Sequence, residues 1–485
     1  MQEERFCREP LAASPPRRLA TMGRATPGLA VALGMAALVA LGLVAGCESA
    51  AERLIVAGPQ GSLTLVFAAD NEGVLSSCGC PSNPSGGLAK RQTILDKYRR
   101  VRPDLVVVDA GDLFPDRPNS LKVPYLASAV EKARYDAIAL GDQECLLGAA
   151  EIRRLARECK LPLLCANVRD ESDNPIVPGH VVRTVGGRRV GIFAVISPAV
   201  MPIPPQDWRK GLRIAPPLEA ARREVEALAG CDLIVALSHQ SIQETTELAR
   251  SVPGIHVVVS GHDETLYKKP VLVGTTTVVA TGPVGRMVGA LTITRGPDGS
   301  PAFAQEMTGL SEKVPDAGWI MDIYWQYVKK AKGEPPPAWA LTPDLPDYEP
   351  AEKCAKCHEA EFKQWATTRH SRAYESIKRV RRNEDPECIL CHTMGYGREN
   401  GFFSMEETPA LGRVTCQACH PVMSTHHDDA KKAEPPKPLT ARACLLCHGL
   451  IQSPDFDFAA YKPKIAHGKP VAPAADKPEE NRRAP

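Results

Sequence analysis

Four stretches carry the most distinctive chemistry in this sequence: Cys354-Ala355-Lys356-Cys357-His358, Cys388-Ile389-Leu390-Cys391-His392, Cys416-Gln417-Ala418-Cys419-His420 and Cys444-Leu445-Leu446-Cys447-His448. Each places two thiols three positions apart with an imidazole directly after the second. This is the spacing of covalent c-type haem attachment. The thiols bond to the two porphyrin vinyl groups, and the adjoining His358, His392, His420 or His448 becomes the proximal iron ligand. Paired Cys-x-x-Cys also builds tetrahedral zinc sites, but such a site gives no reason for a histidine to follow the second cysteine four times.

Four further histidines, His370, His426, His427 and His467, lie in the same region and match the number of distal positions on four irons. Bis-histidine ligation fills both axial positions and favours electron transfer over binding of small molecules. Because His426 and His427 are adjacent, a second arrangement is open, in which one of them is solvated and one iron stays five-coordinate. Around these motifs stand Trp365-x-x-Thr368-x-His370, Gly395, Gly401-Phe402, Val414, His426 after the third motif, and Ile465-Ala466-His467. In that order they resemble the cytochrome c-554 family of multihaem electron carriers, over about residues 350–468. The resemblance implies a mainly α-helical tetrahaem domain. Pro421 stands where the family usually has Gly.

A second set of reactive residues lies earlier in the chain, after short apolar runs. Asp70 follows Leu63–Phe67, Asp112 follows Leu105–Val108, and Asp142 follows Ile138-Ala139-Leu140-Gly141. His239 follows Leu233–Ala236, and His262 follows Val257–Val259. Unalternating apolar runs read as strands buried on both faces. With Ile192–Val195 as a further strand and helical stretches at Leu88–Arg99, Glu151–Glu158 and Leu218–Leu228, they predict an α/β domain. Ligand sites of α/β sheets form beyond the carboxyl ends of strands, so five acids and histidines placed there can converge on metal. Singly, each would be an ordinary turn or cap residue.

Asp70-Asn71-Glu72, Gly86-Gly87-Leu88-Ala89-Lys90, Gly111-Asp112, Gly141-Asp142-Gln143-Glu144, Val190-Gly191, Ser238-His239, Gly261-His262-Asp263-Glu264 and Gly285-x-x-Val288-Gly289 resemble the calcineurin-like metallophosphatase domain of the 5′-nucleotidase family. The resemblance implies a four-layer αββα sandwich with two metals bridged by Asp112, and metal ligands at Asp70, Glu72, Asp112, Asp142, His239, His262 and Glu264. A metal pair of this kind binds phosphate and generates a hydroxide nucleophile.

Four positions depart from the family pattern. Glu72 and Glu264 stand for His and Asp142 for Asn; the added carboxylates shift preference from zinc toward manganese, iron or magnesium. Gln143 stands where a histidine would protonate the leaving group. Glutamine cannot do so, which removes roughly the 10²–10⁴-fold contribution of a general acid. Asp142, Gln143 and His239 are the catalytic candidates, and ordinary nucleotidase activity is not expected. The cofactor expectation is four haem c and one or two divalent ions from manganese, iron, zinc or magnesium.

Sixteen cysteines are present, eight of them in the haem motifs. Cys78-Gly79-Cys80 falls between Asp70 and Gly86, and the same Cys-Gly-Cys occurs in similar proteins with a degenerate phosphatase domain. These thiols can form a redox pair, ligate a soft metal or attack a sulfur compound; a structural turn or bridges to cysteines such as Cys145 are the alternative. Cys159, Cys165 and Cys231 read as small buried residues beside strands.

At 485 residues the chain exceeds one ordinary core. Its net charge of +2 gives no footprint for nucleic acid. Arg17, Arg18 and Arg24 precede an apolar run from Gly28 to Gly46, and Val44-Ala45-Gly46-Cys47 matches a bacterial lipobox, so Cys47 is the expected lipidation site. An uncleaved membrane anchor is the competing reading. Both place the chain outside the cytoplasm, facing the periplasm or on the outer membrane.

The expected organisation is a signal peptide at 1–46, a tether at 47–60, the metallophosphatase-like domain at 61–311, and a helix with a Pro-rich linker at 312–349. The tetrahaem domain follows at 350–468, and a disordered tail is expected at 469–485. The leading expectation is a lipid-anchored electron-transfer protein with redox proteins or quinol-linked donors as partners. A metal-dependent phosphoesterase with accessory haems, and a redox enzyme acting on a sulfur compound through Cys78 and Cys80, are the alternatives.

Overall fold

The structure, a computed structural model, describes residues 61–77, 85–115, 119, 121–201, 211–296, 301–332, 347–421, 439–449, 452–453 and 456–467. Cys47, Cys78, Cys80, His426, His427 and most of the Pro-rich linker lie outside the described residues. Two compact units divide between Tyr324 and Trp325.

The first unit contains two six-stranded sheets. In one, Leu63–Ala68, Leu105–Asp109, Ala137–Ala139 and Leu163–Leu164 run parallel, and Met287–Arg295 joins Leu63–Ala68 antiparallel with Pro301–Gly309 outside it. In the other, Arg188–Ile196, Leu233–His239, Val257–Gly261 and Thr276–Ala280 run parallel, with antiparallel edges at His180–Val185 and Val271–Val273. The β-branched runs predicted as strands all fall within these elements.

Leu65, Phe67, Val106 and Val108 of the first sheet share one core with Ile192, Val235, Leu237 and Val259 of the second. On the far side of the second sheet, Phe193, Ile234, Ala236 and Val258 pack with Ala220, Ala221 and Leu248 of the helices Pro217–Ala227 and Ile242–Ser251. Parallel crossovers must place helices on a sheet face. With the inner face taken, Leu88–Val101 and Val123–Ala133 form the outer layer of the first sheet, burying Ile94, Leu95, Leu126 and Val130. Helix, sheet, sheet and helix make the four layers.

The second unit is built, among its described residues, from short helices: Ala351–Ala355, Glu359–Ala366, Ala373–Arg379, Pro386–His392, Ala441–Leu445 and Phe458–Tyr461. Its core is small: Tyr348, Tyr374, Ile377, Ile389, Met394, Phe402 and Leu411. Gly401 sits against the backbone of Gly395, where any Cβ would lie 1.7 Å from the Gly395 carbonyl oxygen. That close approach explains why both positions are glycine. Gln417 is buried; it accepts the Glu349 N–H at 2.6 Å and donates to the Asp347 carbonyl at 3.0 Å, tying the start of the unit to the third motif.

Candidate metal centres

The carboxyl ends of the parallel strands carry the first centre. Ligand atoms of Asp112, Asp142, His239 and His262 all lie within 4.8 Å of one another. Asp112 follows Leu105–Asp109, Asp142 begins the helix Asp142–Leu146, and His239 and His262 close and follow Leu233–His239 and Val257–Gly261. His239 is fully buried. Its Nδ1 donates to the Ala110 carbonyl at 2.8 Å, which turns Nε2 toward Asp142 Oδ1 at 3.0 Å and Asp112 Oδ1 at 3.4 Å. His262 Nδ1 lies 3.1 Å from the same Asp142 oxygen. A histidine oriented through one nitrogen and offering the other is the usual arrangement of a metal ligand.

Backbone geometry marks the same place. Asp70, Glu72, Asp112 and His262 all adopt positive φ, between 53° and 68°. Such conformations are costly for residues with a Cβ and gather at functional sites. Gly141 allows the loops to meet, since a Cβ there would stand 2.1 Å from Asp112 Oδ1.

Electrostatics follows from burying this much charge. Burial pushes Asp70 well above the usual carboxylate range, and Asp112 adds to it against the pull of His239. Burial acts to lower the His239 imidazole, but Asp112, Asp142 and Asp70 hold it well above its ordinary value. For Asp142 burial raises the pKa, but His239 and His262 hold it below the carboxylate range. A divalent cation meets the charge demand of this group, and the mixed nitrogen and oxygen donors suit several divalent metals.

The remaining expected ligands have other surroundings. Asp70 is buried beside them, but one of its oxygens accepts the His262 backbone N–H at 2.8 Å. Glu72 accepts the side-chain amide of Gln143, and Glu264 is exposed. Glu144, which sequence reasoning passed over, is fully buried and accepts four backbone N–H groups, from Asp112, Leu113, Phe114 and Gly141. The acidic residue three positions after Gly141 was its only signal. Cys145 and Cys165 are free and buried, so Cys145 is not a bridge partner. Cys159 is buried but disulfide-bonded, not simply a small core residue.

The second unit presents the four attachment motifs in a common local form. In the first, third and fourth, the second cysteine and the histidine both donate backbone N–H groups to the carbonyl of the first cysteine, at 3.1–3.2 Å and 2.9 Å. The second motif lies in the helix Pro386–His392. One helical turn thus brings both thiols and the imidazole together.

His370 and His448 have ring centres 6.2 Å apart, and His420 and His467 have centres 6.1 Å apart. Metal–imidazole bonds run about 2 Å, so two rings sharing one iron have centres roughly 6 Å apart, and the residues fit haem. His392 Nδ1 donates to the Ala373 carbonyl at 2.8 Å, while His448 Nδ1 lies 3.0 Å from Ser453 Oγ and His467 Nδ1 2.8 Å from Gln364 Oε1. In each, Nε2 is left for a metal. Burial, with His448 and His392 nearby, pulls His370 down to about 4, so it is neutral and able to ligate. His358 is exposed. Cys354 lies beside Cys416, and Cys447 beside Cys391. The first motif therefore neighbours the third, and the second the fourth.

Residues 353–421 match the family of cytochrome c554 and c-prime. Cytochrome c-554 of Nitrosomonas europaea is 29% identical over 109 residues, covering 19% of this chain and 46% of that protein. The N-terminal region matches the 5′-nucleotidase and calcineurin-like metallophosphatase family. A snake venom 5′-nucleotidase from Crotalus adamanteus is 30% identical over 198 residues, covering 37% of this chain and 32% of that one. A sulfate thiohydrolase from Thermus thermophilus has the same fold, with a TM-score of 0.50 at 18% identity over 59% of this chain and 63% of that chain. The chain thus spans only 32% and 46% of the length of these curated relatives.

Proposed function

We propose that this protein is an extracytoplasmic, lipid-anchored multihaem cytochrome that carries single electrons through four c-type haems, with a sandwich domain that binds divalent metal but does not efficiently hydrolyse phosphate esters. Supporting the electron-carrier reading above all is the pairing of a motif histidine with a spare one, His448 with His370 and His420 with His467, at the separation of two axial ligands. With both axial positions occupied, haem supplies a one-electron couple and no open coordination site. The neighbouring thiols of motifs one and three, and of two and four, support two close haem pairs as the electron route. Among the described residues no helix is long and apolar enough to cross a membrane; the proposed attachment is acylation of Cys47.

Hydrolysis is disfavoured by Gln143. Its amide donates to Glu72 and holds no proton for a leaving group.

The test is a pyridine haemochrome assay on the exported protein together with a reduced-minus-oxidised spectrum. Four haem c per chain with low-spin spectra are expected, and no turnover of a chromogenic phosphate ester with any divalent metal. A protein without covalent haem would end the electron-carrier reading. Ester turnover abolished by Asp112→Ala would replace it with a hydrolase.

A further inference from the structure

We propose that the sandwich holds a single divalent cation, at Asp112, Asp142, His239 and His262, and that the hydrogen bond between Gln143 and Glu72 closes the adjoining position to a second. The inference rests on the reading of those four residues as a metal centre. Their ligand atoms already converge within 4.8 Å. Two carboxylates balance the charge of one dication, and two imidazoles complete a tetrahedral donor set.

A second ion bridged through Asp112 would have to draw its other donors from the loop of Asp70 and Glu72 and from Glu264. Two of those donors already accept hydrogen bonds, and the third is exposed. The Glu72 carboxylate receives the Gln143 amide. Asp70 Oδ1 receives the His262 backbone N–H at 2.8 Å, and Glu264 is exposed. Gln143 is well placed to hold the position shut. It is 5% exposed, and its own backbone N–H donates to Asp112 Oδ1 at 3.0 Å, so one residue grips both the shared carboxylate and the loop that would complete a second site.

The orientation of the amide is fixed by its partner, because a carboxylate accepts only from the nitrogen end. The oxygen end, Oε1, is buried and has no hydrogen-bond partner among the described residues. A water or a ligand donor entering the site is what that oxygen is left to receive. A histidine at position 143 could not make this contact in the same way, since it has no terminal NH₂ group and no second, oxygen acceptor.

The experiment is a titration of the full-length, haem-loaded protein, stripped of other divalent metal, with Mn²⁺, read by elemental analysis and electron paramagnetic resonance. One manganese per chain with the hyperfine pattern of an isolated ion is expected. Two ions with an exchange-coupled spectrum would overturn the single-ion inference and leave the metal centre standing. Failure to bind either Mn²⁺ or Zn²⁺ would remove the metal centre, and the inference with it. Gln143→Ala is expected to raise the count to two. A count that stays at one in that variant, with wild-type thermal stability, would show that the Gln143–Glu72 contact is not what closes the second position.

Discussion

Glu144 and Asp112 are joined through the chain: the Glu144 carboxylate accepts the Asp112 backbone N–H at 2.9 Å. The same carboxylate takes the N–H groups of Leu113 at 2.7 Å, Phe114 at 3.1 Å and Gly141 at 2.7 Å, so one side chain pins two ligand loops. Burial and the neighbouring Asp112 carboxylate push Glu144 up to about 7, while the Gly141 and Asp112 donors act to lower it. Glu144→Ala strands several buried donors and should cost about 3 kcal/mol or more. For a domain of this size that is a fall in Tm of roughly 6–12 °C, measurable by calorimetry. A loss under about 1 kcal/mol, the scale of one ordinary hydrogen bond, would show that water replaces the carboxylate without penalty.

Arg91 and Asp109 form a fully buried ion pair at 2.6 Å beneath the same loops. Arg91 also donates to the Ala69 carbonyl at 3.2 Å, and Asp109 accepts from the Gly111 N–H at 3.0 Å. Breaking one half of such a pair leaves an uncompensated buried charge, so Arg91→Met should destabilise by about 3–5 kcal/mol. The double change Arg91→Met with Asp109→Leu removes both charges and should recover part of that loss. Urea unfolding of the three variants provides the cycle; equal losses in the single and double variants would contradict it.

His256 ties stability to pH. Its Nδ1 accepts the Ile234 backbone N–H at 3.0 Å, which requires the neutral ring, and burial lowers its pKa from 6.5. A histidine whose folded pKa lies below its unfolded one takes up its proton more readily when unfolded. Its contribution is therefore fully present above pH 6.5 and is lost as pH falls through the folded pKa. His256→Asn keeps an acceptor that does not titrate. The difference in unfolding midpoint between neutral and mildly acidic buffer should narrow in that variant, and an unchanged difference would assign the acid sensitivity elsewhere.

The strands that position the metal centre were legible because unbroken runs such as Val106-Val107-Val108 and Val257-Val258-Val259 permit little else. Asp112, Asp142, His239 and His262 followed from their places just beyond such runs. The edge strand His180–Val185 was harder to read, since its burial alternates and its neighbours include charged residues. Met287–Arg295 and Pro301–Gly309 were missed because their antiparallel pairing is a property of the sheet and not of local spacing. Glu144 was silent for a related reason: a carboxylate that serves backbone donors has no composition of its own. The contact of Glu72 with Gln143 depended on loops that only the fold brings together.

Histidine pairing in the second unit was equally invisible, because the motifs recur at irregular intervals, and it yields the most direct spectroscopic test. His370 faces His448 at 6.2 Å between ring centres, and His467 faces His420 at 6.1 Å. Gln364 orients His467 through its Nδ1, while Ser453 lies beside that of His448. If each pair grips one iron, removing the non-motif partner leaves a covalently attached haem with one axial position open. His370→Ala should therefore convert one haem per chain from low to high spin and make the reduced protein bind carbon monoxide at that haem, with the haem count unchanged. His467→Ala should do the same at a different haem, and the double variant should show two. Because attachment depends on the cysteines and not on the distal imidazole, the unchanged count separates lost ligation from failed maturation. Low-spin spectra and no added carbon monoxide binding in either single variant would mean that other residues ligate these irons and that the paired rings meet for packing alone.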